Sequence, residues 1–151
     1  MNLEYELSYR AALKEGINVG AGPYGNRLVV EVTGGDFEGK RLKGKVLSGG
    51  GDWLLVGPDG FGRIDVRVQF MTDDGAAIYL SYTGLIEMTE KVGRAIADGS
   101  VGTDYGDHYF RTTPRMETGD PRYAWVNRTV FVAEGHIKPG RVVEYKVYRL
   151  V

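Results

Sequence analysis

Asp52 and Trp53 directly follow three consecutive glycines, Gly49–Gly51. Arg63, Asp65, Arg67 and Gln69 alternate with Ile64, Val66, Val68 and Phe70. A carboxylate taken out of water has its pKa raised by desolvation, and one beside an arginine has it lowered; either makes a general acid or base. Asp65 or Asp52 is therefore the expected proton carrier. Arg111, in the run Tyr109-Phe110-Arg111, and Arg63 are the expected holders of a carboxylate or enolate oxygen. Glu117 and Arg128 are the other charges set among aromatics. The row Tyr123, Trp125, Asn127, Thr129, Phe131 combines large rings with an amide and a hydroxyl, as small-molecule pockets do. Trp53, Tyr123 and Trp125 are expected to shape a substrate there. The Arg63–Gln69 row reads equally as a solvated strand face.

Other chemistries are excluded. The chain has no cysteine and two isolated histidines, His108 and His136, so neither a thiolate site nor a His-rich metal centre is expected. There is no GxSxG, and neither glycine cluster leads into a helix with Lys-Ser/Thr, so no phosphate loop and no nucleotide cofactor are implied. With 19 Lys+Arg against 20 Asp+Glu, well mixed, no basic stripe exists and nucleic acid is not an expected partner. The first residues hold two glutamates and no long apolar run, and no later stretch reaches membrane-span length. The cytoplasm is the expected compartment.

These side chains need strands to position them. Leu3, Tyr5, Leu7 and Tyr9 alternate with polar residues, a half-buried strand. Arg27–Thr33, Arg41–Leu47, Trp53–Val56, Arg63–Phe70 and Ala77–Ile86 follow, punctuated by Gly34-Gly35, Gly39, Pro58-Asp59-Gly60 and Asp73-Asp74-Gly75. The triplet Gly49–Gly51 reads as a bulge aiming Asp52 and Trp53. Helical spacing occurs once, at Thr89–Asp98, with Thr89 as N-cap and Gly99 as stop. Tyr109–Arg115, a turn at Gly119-Asp120-Pro121, a long strand Tyr123–Ala133 and a last strand Val142–Val151 complete the chain. The 23 glycines sit between short strands, and no repeat or linker interrupts the 151 residues. The expectation is one all-β domain, an antiparallel closed barrel of roughly eight to ten strands with one short helix.

The blocks Gly49–Trp53 (GGGDW), Asp73–Tyr79 (DDGAAIY), Tyr109–Thr118 (YFRTTPRMET) and Tyr123–Phe131 resemble an uncharacterised family of small bacterial and fungal proteins, a domain of unknown function. The resemblance runs from about Gly34 to Val151 and is weakest over Ser100–His108. Its architecture is similar to the barrels of allene oxide cyclases and dirigent proteins, which guide reactive intermediates without a cofactor. Carried over by motif position, the resemblance implies Asp52, Trp53, Asp65, Tyr79, Arg111, Glu117, Tyr123, Trp125 and Asn127 as pocket residues. No catalytic role comes with them.

The leading expectation is a cofactor-free isomerase, cyclase or lyase acting in the barrel lumen on a metabolite with a carboxylate or enolisable oxygen. A lipocalin-like carrier and a structural oligomerisation module are the rivals. Val126, Val130 and Val132 give the expected Tyr123–Ala133 strand an apolar second face, so a homodimer covering it is expected.

Overall fold

Alternating rows become strands because each apolar side chain in a period-two pattern falls on the same face. In a computed structural model describing residues 1–151 they are β1 (Leu3–Leu13), β2 (Ile17–Gly22), β3 (Gly25–Gly39), β4 (Lys43–Val46), β5 (Gly50–Val56), β6 (Phe61–Thr72) and β7 (Ala77–Glu87). Helix α1 (Glu90–Ala97) is followed by β8 (Phe110–Thr112), β9 (Arg115–Glu117), a 3-10 segment (Pro121–Arg128), β10 (Phe131–Lys138) and β11 (Val142–Leu150). Eight of the strands close a fully antiparallel barrel in the order β1, β3, β5, β6, β7, β8, β10, β11 and back to β1. Strand β4 continues between β3 and β6 beyond β5, β9 extends along β7 beyond β8, and β2 forms a hairpin with β3.

An eight-stranded barrel is just wide enough to be filled by side chains or to hold one small ligand. This one is filled at one end and leaves a recess at the other. One end is packed solid. Leu7, Phe37, Val68, Phe70, Ile78, Leu80 and Phe131 are fully or almost fully buried, and the rings of Phe37 and Phe70 stack at 4.1 Å. The 3-10 segment closes that end: Val126 is buried, and Trp125 meets Phe131 edge-on at 6.4 Å. The Arg41 guanidinium lies 3.7 Å over the Trp125 ring and donates from Nε and Nη2 to the two oxygens of buried Glu6, both at 2.9 Å. At the other end α1 lies across the opening, with Thr89 Oγ1 accepting from Val92 N–H and Val92 and Ala95 buried beneath it. The expected helix is therefore present with its expected cap.

Four sequence expectations need correction. The expected strand Tyr123–Ala133 is the 3-10 segment followed by β10. Asp120 caps the segment by accepting from Arg122 N–H, and Pro121 takes the first turn, where its missing N–H costs nothing. The supposed turn signal was a helix start, so Tyr123, Trp125 and Asn127 share no strand face, and buried Val126 is unavailable to a dimer surface. In β1 a register shift between Tyr5 and Leu7 splits the expected apolar row: Leu7 and Tyr9 are buried, Leu3 and Tyr5 exposed. Strand β3 runs through Gly34-Gly35 rather than turning there, because at Gly35 (φ 145°) any Cβ would collide with the Arg10 carbonyl of β1. Tyr109–Arg115 breaks at Thr113-Pro114 into two short strands.

Candidate functional site in the barrel lumen

Past the packed end, the inward rows of β1, β7 and β11 each deliver a tyrosine: Tyr9, Tyr82 and Tyr145. They form the floor of an open recess. The Tyr9 and Tyr82 hydroxyls are 3.2 Å apart, the Tyr145 ring meets the Tyr82 ring edge-on at 5.3 Å, and the Tyr9 and Tyr145 rings stack at 5.3 Å. Below them Tyr9 rests edge-on against Phe70 at 5.2 Å. Burial pushes all three phenols above their usual range, so they stay neutral hydrogen-bond donors at ordinary pH.

The recess has about 70 Å³ of free volume at its core and about 720 Å³ with its mouth included. Its walls are mostly apolar: Ala11, Val30, Val32, Leu54, Ile64, Val66, Ile86, Phe110 and Val143. One carboxyl stands among them. Asp52 points inward from β5, and its Oδ1 accepts the main-chain N–H of Asp65 at 3.1 Å. The β5–β6 ladder is interrupted between Asp52 and Leu55, so the side chain takes a donor that a regular ladder would use. Burial raises the Asp52 carboxyl to about 7; the Asp65 N–H bond opposes this and the Asp65 charge adds to it. The Asp52 charge in turn raises Tyr9 and Tyr145.

The glycines before Asp52 act by proximity rather than as a bulge. Gly49 takes a positive φ of 97° in the turn, and at Gly50 a Cβ would come within 2.5 Å of the Arg67 carbonyl and 2.6 Å of Val68 Cγ1. Bare backbone lets β5 lie close to β6, which sets Asp52 inward and Trp53 outward.

The remaining residues singled out in the sequence lie elsewhere. Asp65, Arg63 and Trp53 are on the outer face: Arg63 chelates Asp59 at 2.7 Å, Asp65 is 3.9 Å from Arg67, and Arg67 lies over Trp53. Their row is the solvated face. Arg111 is also outside, 3.9 Å from Glu134 and against Tyr109. Tyr79 and Glu117 are cross-strand neighbours on exposed positions of β7 and β9. Tyr123 donates its hydroxyl to Asp74 at 2.8 Å, and Asn127 brackets Thr118 through both main-chain groups. Asp65, Arg111 and Trp125 thus share no cavity. Of the residues proposed from sequence, only Asp52 faces the lumen. The three tyrosines were legible only as members of aliphatic inward rows, such as Ile78-Leu80-Tyr82 and Val143-Tyr145-Val147, where a phenol is the odd side chain.

Both histidines fasten the loop between α1 and β8. His136 lies 2.8 Å from the Thr103 carbonyl and 2.8 Å from Glu144, and His108 lies 3.0 Å from the Thr103 hydroxyl. No three His, Asp or Glu side chains converge as a metal site.

The chain as a whole is similar to several known proteins. A family model described as a protein of unknown function (DUF3237) matches residues 1–150. A UPF0311 protein of Clostridium acetobutylicum is 32% identical over 151 residues, covering 99% of this chain and 94% of its own length. The crystal structure of a beta-barrel like protein from Acinetobacter baumannii superposes with a TM-score of 0.81 at 34% identity, covering 100% of this chain and 98% of that one. An enzyme from Penicillium herquei shares the fold at a TM-score of 0.71 and 19% identity, over 97% of this chain and 93% of its own.

Proposed function

Since the chain belongs to DUF3237, a family of unknown function, we propose from its lumen that it is a cofactor-free enzyme moving a proton on a small enolisable metabolite. The carrying observation is Asp52: a carboxyl with a pKa of about 7, inside an apolar recess floored by three neutral phenols. A base works best when its pKa lies near the working pH, because it is then both available and strong. Ionised Asp52 takes a proton from a carbon beside a carbonyl. The negative charge that develops on the carbonyl oxygen is met by a tyrosine hydroxyl already oriented by its neighbours. Protonated Asp52 then returns the proton to another atom of the same molecule, giving isomerisation, or the enolate carbon adds to a second carbonyl of that molecule, whose π bond breaks and whose oxygen takes the proton from Asp52. The fold likeness to the Penicillium enzyme is compatible with this reading and carries none of its chemistry.

A carrier reading rests on the mostly apolar walls. The two readings separate on Asp52, since a carrier of apolar ligands gains nothing from a carboxyl that costs energy to bury. The test is hydrogen–deuterium exchange, followed by NMR, of a panel of cyclic ketones and β-ketoacids in D₂O. The expected result is protein-catalysed exchange of at least one member, lost in Asp52→Asn. Exchange equal for the two proteins across the panel removes the enzyme reading.

A further inference from the structure

We infer that Arg141 is an anion-binding residue at the mouth of the recess, so that the preferred ligands carry a carboxylate at the end opposite their reactive group. This deepens the reading above and rests on the lumen being the ligand site. Arg141 lines the same recess as Asp52. Its guanidinium is anchored by two carbonyls at the end of α1, donating from Nε to Ile96 O at 3.4 Å and from Nη2 to Ala97 O at 2.9 Å. Nη1 has no protein acceptor. No carboxylate lies within ion-pair distance; the exposed Asp98 carboxyl is held low chiefly by its hydrogen bonds from Ser100, with the Arg141 charge the smallest contribution. The other cation of the rim, Lys14, is already bonded to Glu31 at 3.0 Å.

The backbone adds an independent observation. Arg141 (φ 56°) is the one non-glycine residue of the chain with a positive φ. It sits after Gly140 (φ 92°) in the hairpin joining β10 to β11, where glycine or asparagine is the favoured choice. An arginine held in this strained region, beside a cavity and with no carboxylate in ion-pair contact, sets a guanidinium edge at the mouth of the recess. A guanidinium with a spare N–H edge next to apolar walls suits a carboxylate, because charge-assisted bonds strengthen where water is excluded. Asp52 fixes the orientation: an anionic end driven to the floor would meet a second negative charge, so it stays at the rim and the neutral end reaches Asp52.

The test is calorimetric binding of two matched probes, cyclohexanecarboxylate and cyclohexylmethanol, at pH 7.5. The carboxylate should bind wild type at least about tenfold more tightly, the size of one charge-assisted bond. Arg141→Gly, which gives the hairpin its favoured residue, should bring the ratio near one without lowering the melting temperature. Arg141→Lys should keep part of the preference, and Asp52→Asn should keep it or enlarge it. Equal affinities in wild type, no binding of either probe at millimolar concentration, or an unchanged ratio in Arg141→Gly overturns the inference. A purely structural arginine would instead lower the melting temperature and leave the ratio alone. A carboxylate preference in a wild-type protein that exchanges no ketone would defeat proton transfer and leave the anion site standing.

Discussion

Asp52 Oδ1 accepts a 3.1 Å hydrogen bond from the main-chain N–H of Asp65, yet the two carboxyls point to opposite sides of the barrel wall. One faces the apolar recess and the other faces water beside Arg67.

This difference makes Asp52 a pH-dependent burden on the fold. Its native pKa of about 7 stands above the ordinary 3.8 because burial favours the neutral form. Below pH 4 both native and unfolded chains hold the proton, and nothing is lost. Between 4 and 7 the unfolded chain releases it while the native chain retains it, so stability falls as pH rises; above 7 the full penalty applies. Partial access to water through the cavity reduces it to roughly 1–3 kcal/mol. Asp52→Asn keeps the bond to Asp65 N–H and should be the more stable protein at pH 8, with the gap closing by pH 4.5. Urea melts at pH 4.5, 6 and 8 measure this, and a gap that does not change with pH contradicts it.

The same carboxyl sets the activity profile. Asp52 must be ionised to accept a proton, so kcat/KM for a ketone that exchanges should climb with pH and level off above an apparent pKa near 7. A flat profile from pH 5 to 9 argues for another base.

Asp65 should matter little. It is about half exposed and 3.9 Å from Arg67, a separation that contributes little in water. Asp65→Asn is expected to shift stability by less than about 0.5 kcal/mol and to leave exchange unchanged, as read by thermal melts and the NMR assay.

Tyr82 packs edge-on against both other phenols and bonds the Tyr9 hydroxyl, so its loss leaves that hydroxyl free. Tyr82→Phe should reduce Asp52-dependent exchange about 10- to 100-fold, as expected for one oriented donor to an oxyanion. The unpaired hydroxyl of Tyr9 should cost about 1–3 kcal/mol. A variant with lowered stability but full activity would make the trio structural only.

At the packed end, Arg41 carries the charge balance of buried Glu6. Arg41→Ala should destabilise by roughly 2–4 kcal/mol, less than a wholly unpaired carboxylate because Arg149 Nε remains 3.8 Å away. Adding Glu6→Gln should recover much of the loss. Chemical denaturation of the single and double variants decides it, and additive losses would show that the pair is not coupled.

The barrel was readable from the sequence because period-two rows such as Ile64-Val66-Val68-Phe70 state which face is buried, and turn residues fix where strands end. The site was largely not readable. An alternating row of Arg63, Asp65 and Arg67 looks the same whether it faces water or a polar lumen, and only closure of the sheet decides. At Pro121–Arg128, aromatic and β-branched residues suggested a strand, while the capping pair Asp120-Pro121 held the contrary signal. The decisive phenols come from β1, β7 and β11, so the chain must close on itself before Tyr9, Tyr82 and Tyr145 meet. No local window contains that information. Asp52 was found because the glycine triplet before it drew attention, although the triplet was read as a bulge and acts instead by letting β5 approach β6 closely.

The plug of Trp125, Arg41 and Glu6 also governs traffic. A barrel stoppered at one end is a blind alley, so a guest enters head first and must back out past α1 before the next can follow. On the function proposed above, departing product and arriving substrate would compete for one doorway, so product inhibition should be competitive. A molecule branched at its leading end should be refused at the threshold however well its tail would fit.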